Sequence, residues 1–196
     1  MKFIRKNKLI RNFIFNNFSK SWAREKYNRI ENFLNKDDLL LDLGAGKCAL
    51  SWKLKQEGYN TTPVDVQDLS FCSEIEPIIY NGKKLPFADN SFDKVLLLTV
   101  LHHIPKPELV IKEALRVADE LIIIEDIYSN PLQKHLTFFT DSLFNFEFIG
   151  HPHSNKTEEE WQKLFDNLDL KIKNKQKDKV LIFFEQITYY LKKEIT

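Results

Sequence analysis

Short apolar runs recur along the first 130 residues with helical patterns between them, and this alternation restricts the chain to few folds. The runs cover Leu39 to Leu43, Asn60 to Val66, Ile78 to Tyr80, Asp93 to Thr99 and Glu120 to Ile127. Strands that alternate with helices form a parallel sheet, because each helix returns the chain to the same end of the sheet. The fourth run, DKVLLLT, lacks polar alternation, which is typical of a strand buried on both faces. The sequence therefore predicts an α/β protein with a mostly parallel central sheet.

The remaining elements follow from helix and turn signals. Helices are predicted over residues 49–57, 107–117 and 157–168. The last of these begins at a capping-box pattern, in which Thr157 is followed three residues later by Glu160. Two closing strands are predicted over Leu170 to Gln176 and Val180 to Leu191, joined by a Lys/Asp turn. So short a connection makes these two strands antiparallel.

The length of 196 residues suits a single core, and no linker or repeat suggests a second domain. We expect one domain in four parts: an N-terminal helical segment (1–35), an alternating core (36–128), an insertion (129–156) and a closing helix with two strands (157–196). Two cysteines and no signal-peptide pattern favour a cytoplasmic protein, and no apolar run approaches the length of a membrane span.

The turn after the first apolar run contains two of the five glycines, Gly44 and Gly46. In open parallel sheets this turn is where a ligand approaches the bare backbone, and an acid about 20 residues later receives ribose hydroxyls. Asp65 stands at that distance, at the end of the second run. Cys48 occupies the place of a third glycine and no Lys-Ser/Thr pair follows, so a pyrophosphate would be poorly held. A glycine pair alone is consistent with a tight turn that binds no ligand, but the pair together with the acid favours a nucleotide site.

Two blocks, LLLDLGAGKCAL (39–50) and NGKKLPFADNSFDKVLLLTVLHHI (81–104), carry a family resemblance. The sequence resembles the class I S-adenosylmethionine-dependent methyltransferases, and more closely the branch that includes the ubiquinone and menaquinone C-methyltransferases. The resemblance implies a doubly wound, Rossmann-like sheet of seven strands in the order 3-2-1-4-5-7-6, with strand 7 antiparallel and helices on both faces. It also implies S-adenosylmethionine as methyl donor and S-adenosylhomocysteine as product.

The resemblance further implies which residues contact the cofactor. They are Asp42, Gly44, Ala45, Gly46, Asp65, Val66, Asn81, Gly82, Thr99 and His102. Asn81 replaces the acid that the family usually has, so we expect its amide oxygen to accept the adenine amino group with weaker affinity. Cys48 departs from the usual third glycine, and a small side chain there is expected to be tolerated.

Few sequence signals identify the residues that contact the acceptor, because methyl transfer mainly requires that the enzyme align the acceptor and exclude water. His151 and His153, in GHPHSNKT, are candidates for contact with the acceptor, and His is a suitable base near neutral pH. Asp126 is preferred over Glu125 at the end of the fifth strand, because alternation turns only one of them toward a pocket. No metal site is expected, because no third ligand is fixed by spacing.

The charge distribution is compatible with more than one role for the N-terminal segment. Residues 1–24 contain seven basic and no acidic residues, whereas the whole chain has 29 basic and 28 acidic residues. This segment either caps the cofactor pocket, the favoured interpretation, or contacts a membrane through residues 1–20, where apolar residues could share one helical face: Phe3, Ile4, Ile10, Phe13, Ile14 and Phe18. Lysines at every second position from Lys171 to Lys179 are interpreted as protection of an edge strand.

The first functional hypothesis is therefore methyl transfer to a small-molecule acceptor. The second is an RNA or protein methyltransferase that uses the basic arm, but the Asn/Asp-Pro-Pro-aromatic signature is absent where LTVLHHI stands. The third is a non-catalytic, S-adenosylmethionine-binding partner subunit. The acceptor and the oligomeric state are left open.

Overall fold

The structure, a computed structural model, describes residues 7–128, 155–180 and 184–194. The helices are α1 (Lys8–Ile14), α2 (Lys20–Ile30), α3 (Ala49–Gln56), α4 (Pro107–Val117) and α5 (Glu158–Asp166). The strands are β1 (Leu39–Leu43), β2 (Asn60–Asp65), β3 (Ile78–Ile79), β4 (Lys94–Leu98), β5 (Glu120–Ile127), β6 (Leu170–Val180) and β7 (Phe184–Lys193). A π-helical turn (Phe15–Ser19) joins α1 to α2, and 3₁₀ turns cover Glu31–Phe33 and Leu101–His103.

The seven strands form one mixed sheet in the order β3-β2-β1-β4-β5-β7-β6. Strand β1 pairs in parallel with β2 and β4, and β2 pairs in parallel with β3. Strand β7 is antiparallel to both β5 and β6. The predicted fold, including the antiparallel seventh strand, is confirmed. No helix in the described part of the chain has the length and hydropathy of a membrane span.

The chain divides into two compact units, and the first comprises the residues up to Leu96 together with Arg116–Ala118. Its core contains Leu40, Leu41 and Leu54, all fully buried. Helix α2 packs on α3, as the position of Lys53 Nζ of α3 over the Tyr27 ring of α2 (4.9 Å from the centroid) illustrates. The first unit therefore holds the β1–α3 turn between its own helices and strands. The single-domain organisation stays a prediction.

Arg116 holds the loop that precedes β4 in the first unit. Its guanidinium donates hydrogen bonds to the carbonyl oxygens of Leu85 (3.2 Å) and Phe87 (2.9 Å) and to Asp89 Oδ1 (2.7 Å). This loop is part of the second resemblance block. Its shape is fixed by an arginine at the end of α4.

The second unit comprises Leu97–Leu115 and the residues from Asp119 onward. Strand β5 is buried along most of its length, and Trp161, Phe165 and Tyr189 are fully buried beside one another. The capping box of α5 is confirmed, since Thr157 Oγ1 accepts the Glu160 N–H and Glu160 Oε2 accepts the Thr157 N–H.

The predicted Lys/Asp turn between the closing strands is wrong. Lys177 and Asp178 lie within β6, opposite Ile187 and Gln186 of β7, and β6 continues to Val180. Strand β6 is at the edge of the sheet and its polar side chains are mostly exposed, so a polar stretch there extends the strand instead of ending it.

A β-bulge between Ile172 and Asn174 divides the row of alternating lysines. Lys171 lies opposite Lys192, whereas Lys175 lies opposite Tyr189, so the two lysines are on different faces of the sheet. Lys175 and Lys177 both pair with Glu158 of α5, at 2.7 and 2.8 Å. The lysines therefore do not form one continuous basic row.

Candidate functional site

The turn between β1 and α3 has an unusual backbone. Gly44, Gly46 and Cys48 have φ angles of +82°, +50° and +57°, so three of its residues are left-handed. The N–H groups of Gly44 and Ala45 donate to the carbonyl oxygen of Val64, at 2.8 and 3.1 Å. The turn is therefore fastened to the end of β2.

The space beside Gly46 is open on its Cβ side. A Cβ atom there would have the Gly44 carbonyl oxygen as its nearest neighbour, at 3.9 Å, an ordinary contact distance. Positive φ alone does not demand glycine in this turn, because Cys48 adopts it with a side chain. The protein's own atoms thus leave bare backbone at Gly46 that a ligand can approach.

Asp65 joins the glycine turn to the end of β2. Its Oδ2 accepts the Gly46 N–H (2.8 Å) and its Oδ1 accepts the Gln67 N–H (3.2 Å). The side chain is buried. A carboxylate has about four lone-pair sites, so these two bonds orient it and leave capacity for further donors. An oriented carboxylate beside bare backbone fits the ribose hydroxyls of a nucleoside cofactor.

Val66 and Gly82 lie close together after β2 and β3. A Cβ atom on Gly82, whose φ is +74°, would meet Val66 Cγ1 at 3.4 Å. Val66 is itself exposed, and the Tyr80 N–H donates to the Asp65 carbonyl oxygen. The first unit thus brings Asp65, Val66 and Gly82 to the same end of the sheet.

The Asn81 side chain stabilises a backbone turn, a role that the sequence did not reveal. Its Oδ1 accepts the backbone N–H groups of Lys83 (2.9 Å) and Lys84 (3.0 Å). An amide oxygen has two lone pairs, and both are used here. The expected hydrogen bond to an adenine amino group would compete with this turn.

Asp42 lies behind the glycine turn, almost fully buried. Ser51 Oγ of α3 donates a hydrogen bond to Asp42 Oδ2. Burial raises the pKa of Asp42 to about 6, although the Ser51 hydrogen bond and the charge of Lys26 oppose this rise. Asp42 therefore connects β1 to α3, and it gains or loses its charge near the lower end of the physiological pH range.

The Cys48 side chain is buried in an apolar cluster. It packs with Phe15, Phe71 and Cys72, and Ala45 contacts the same cluster. Burial raises the pKa of the Cys48 thiol to about 12, so it stays protonated and unreactive. A cysteine is tolerated in place of the third glycine because the fold gives its side chain a pocket.

The same cluster brings the N-terminal helical segment against the glycine turn. The Phe15 ring contacts the Trp52 ring of α3 (5.9 Å between centroids), and Ile14 packs against the cluster. Ile14 therefore faces inward, which corrects the prediction that it shares a face with Phe13 and Phe18. The buried side of this segment therefore packs beside the glycine turn.

In the second unit, the residue after β4 is strained. Thr99 has a φ of +62°, which is rare for a β-branched residue, and its N–H donates to the Ile124 carbonyl oxygen at 2.6 Å. Strained backbone of this kind concentrates at functional sites. No sequence signal predicts positive φ at a threonine.

A buried carboxylate, Glu125, holds the loop that follows Thr99. Its Oε1 accepts the N–H groups of Val100 (2.9 Å) and Leu101 (2.7 Å), and its Oε2 bonds His102 Nδ1 (2.6 Å). Both Glu125 and His102 are buried. Sequence reasoning did not foresee this pairing, although a glutamate inside the run ELIIIEDI is a signal, because a buried charge requires partners.

Of the three candidate catalytic residues, the structure describes Asp126. Asp126 is partly exposed and its Oδ1 accepts a hydrogen bond from Gln186 Nε2 of β7, at 2.7 Å. His151 and His153 lie outside the described residues. Within the described ranges, no group of three or more His, Cys, Asp or Glu side chains is placed to hold a metal ion.

Comparison with known proteins bears on this geometry. Residues 41–120 match the family model described as a methyltransferase domain. A search of curated proteins finds no match. A methyltransferase from Methanosarcina mazei, described as S-adenosylmethionine-dependent, is 20% identical with a TM-score of 0.67, over 87% of this chain and 99% of that one.

Two further solved structures share the fold. Magnesium protoporphyrin IX methyltransferase from Synechocystis, with bound S-adenosylhomocysteine, is 17% identical with a TM-score of 0.64, over 88% of this chain and 83% of its own. The [4+2]-cyclase SpnF is 12% identical with a TM-score of 0.67, over 89% and 81%. At these identities the structural likeness shows a common fold, and the family match covers the glycine turn, Asp65 and the loop after β4. The chain is therefore an enzyme with the class I methyltransferase fold and a match to a methyltransferase domain over residues 41–120.

Proposed function

We propose that the chain transfers a methyl group from S-adenosylmethionine to a small-molecule acceptor by in-line displacement. When bound, S-adenosylmethionine supplies a methyl group that its sulfonium already activates. The protein then has to bind the donor, align the acceptor and exclude water.

The cofactor is held, in this proposal, by the glycine turn and Asp65. The open backbone at Gly46 receives the nucleoside, and the Asp65 carboxylate accepts hydrogen bonds from the ribose hydroxyls. Asp42, Gly44 and Ala45 belong to the same proposed cofactor site, because they lie at the end of β1 and in the turn that follows it. On the resemblance alone, we extend the proposal to Val66, Asn81, Gly82, Thr99 and His102.

The choice of a small acceptor over RNA rests on the divided lysine row. Lys171 and Lys175 lie on different faces of β6, and Glu158 forms ion pairs with both Lys175 and Lys177. Phosphate-binding surfaces instead collect unpaired basic groups on one face. The loop TVLHHI after β4 also lacks the signature of methylation on base amino groups.

The acceptor side is proposed to involve His151, His153 and Asp126. His151→Ala and His153→Ala test the two histidines, and Asp126→Asn tests the carboxylate while keeping a partner for Gln186. Turnover of the true acceptor should fall in at least one variant. Unchanged turnover in all three variants would remove these residues from the acceptor site.

The function is tested by following a radiolabelled methyl group. The protein is incubated with labelled S-adenosylmethionine and, separately, with the low-mass, RNA and protein fractions of a cell extract. We expect label to enter only the low-mass fraction. Label in RNA or protein would support the second hypothesis and contradict ours. Binding of S-adenosylmethionine without transfer to any fraction would support a non-catalytic partner subunit.

A further inference from the structure

Helix α1 and the turn that follows it expose large apolar side chains to solvent. Leu9, Phe13 and Phe18 are 82%, 61% and 55% exposed, and Ile10 is also exposed. We call these four residues the apolar patch. Single exposed apolar residues are normal, but four within ten residues require an explanation.

The patch is continuous because of the π-helical turn at Phe15–Ser19. A π-helix places residues five apart on nearly the same side, and the Phe13 and Phe18 rings meet edge to face at 6.2 Å. In α1, Leu9 and Phe13 are four residues apart and share a face. The turn thus aligns Phe18 with the apolar residues of α1.

The opposite side of the same segment is anchored to the protein. Phe15, Ser19, Ala23 and Tyr27 are buried, and Lys20 Nζ lies 4.5 Å from the centroid of the Trp52 ring. The Asn7 side chain caps the start of α1 by accepting the N–H groups of Leu9 and Ile10. The fold therefore holds the helix in place and leaves the apolar patch outside.

The segment that carries the patch contains basic residues and no acidic ones. Between residues 7 and 24 the sequence contains Lys8, Arg11, Lys20 and Arg24 and no acidic residue. Lys8 and Arg24 are exposed and Arg11 is half-buried. Apolar side chains flanked by basic ones suit the interface of a bilayer that contains anionic lipids.

Two other occupants fit less well. RNA would use the positive charges but would leave the aliphatic Leu9 and Ile10 without a partner. A second copy of the chain, paired about a two-fold axis, would bring like charges together.

We propose that the apolar patch docks the protein on the surface of an anionic membrane. The two interpretations of the N-terminal segment are then compatible, because its inner face contacts the glycine turn while its outer face binds lipid. This docking is independent of the acceptor and of methyl transfer.

The test is flotation of the full-length protein with vesicles, either of phosphatidylcholine alone or with about a quarter of phosphatidylglycerol. We expect binding to the anionic vesicles only. The double variant Leu9→Glu/Phe13→Glu should bind at least about tenfold more weakly, because it removes apolar area and adds negative charge. Both positions are exposed, so unchanged circular dichroism is expected.

The matched control is Leu109→Glu, at a residue of α4 that is 58% exposed. It adds one charge at a similarly exposed leucine elsewhere and should leave vesicle binding unchanged. Absence of wild-type binding to anionic vesicles, or equal binding by the double variant, would overturn the proposal. It would also be overturned if the double variant instead abolished self-association or RNA binding, since the patch would then serve another partner.

Discussion

At the residue scale, substitution of Gly46 tests whether a ligand approaches the backbone of the glycine turn. Gly46→Ala introduces a Cβ atom that the protein itself can accommodate, at the cost of about 1 kcal/mol for an alanine at positive φ. If a ligand approaches the backbone there, affinity for S-adenosylhomocysteine should fall at least about tenfold. Calorimetric titration measures this affinity, and denaturant unfolding measures the stability.

Gly58→Ala is the control for that substitution. Gly58 has a φ of +84°, and a Cβ atom at this position would have no neighbour within 4 Å, so the backbone strain is comparable but no ligand is involved. The variant should lose similar stability and keep full affinity. Equal affinities in the two variants would contradict a ligand at Gly46.

The buried carboxyl of Asp42 predicts a pH dependence of stability. Its pKa is raised from 3.8 to about 6, so between these pH values the folded state binds more protons than the unfolded state. Stability therefore falls as pH rises from about 4 to 6, by on the order of 2–3 kcal/mol. Asp42→Asn, which keeps an acceptor for Ser51, should lack this contribution.

The measurement is the unfolding free energy of both proteins at several pH values. The advantage of the Asn variant over wild type should grow up to about pH 6–7 and then level off. A difference that does not change with pH would show that Asp42 has the same pKa in the folded and unfolded states.

At the scale of elements, the loop after β4 depends on one side chain of β5. Glu125→Ala would leave two buried N–H groups and His102 without their acceptor, and we expect a loss of about 3 kcal/mol in unfolding free energy. Glu125→Gln keeps an oxygen for the two N–H groups and should lose much less. A loss below about 1 kcal/mol in the Ala variant would contradict this role.

The elements also show where sequence reasoning succeeded and failed. The β5 strand and helix α4 were predicted with their observed bounds, since apolar periodicity and flanking signals define them. The end of β6 was placed too early because Lys177 and Asp178 have turn-like chemistry, and only the pairing with β7 shows that they are strand residues. Glu125 binds a loop that is distant in sequence, and Asn81 accepts hydrogen bonds within a local turn. Neither contact can be inferred from composition.

At the scale of the whole molecule, the sheet order could be predicted because two sequence blocks carry the family resemblance that implies it. The glycine turn and Asp65 are nineteen positions apart in sequence, yet one hydrogen bond joins Gly46 to Asp65. The exposed side of the N-terminal segment could not be predicted correctly, since a π-helical turn changes which residues share a face. Ile14 and Phe18, four residues apart, would share a face of a continuous α-helix, but Ile14 packs inward and Phe18 joins Phe13 outside.

The glycine turn and Asp65 are the parts of the molecule that we propose to hold the methyl donor. The most direct measurement is calorimetric titration of wild type and Asp65→Ala with S-adenosylhomocysteine, with thermal unfolding to confirm that both proteins are folded. We predict binding to wild type and a loss of affinity of about 100-fold in the variant, because hydrogen bonds to a charged acceptor are removed. Equal affinity in the two proteins, or no binding by folded wild type, would contradict this assignment.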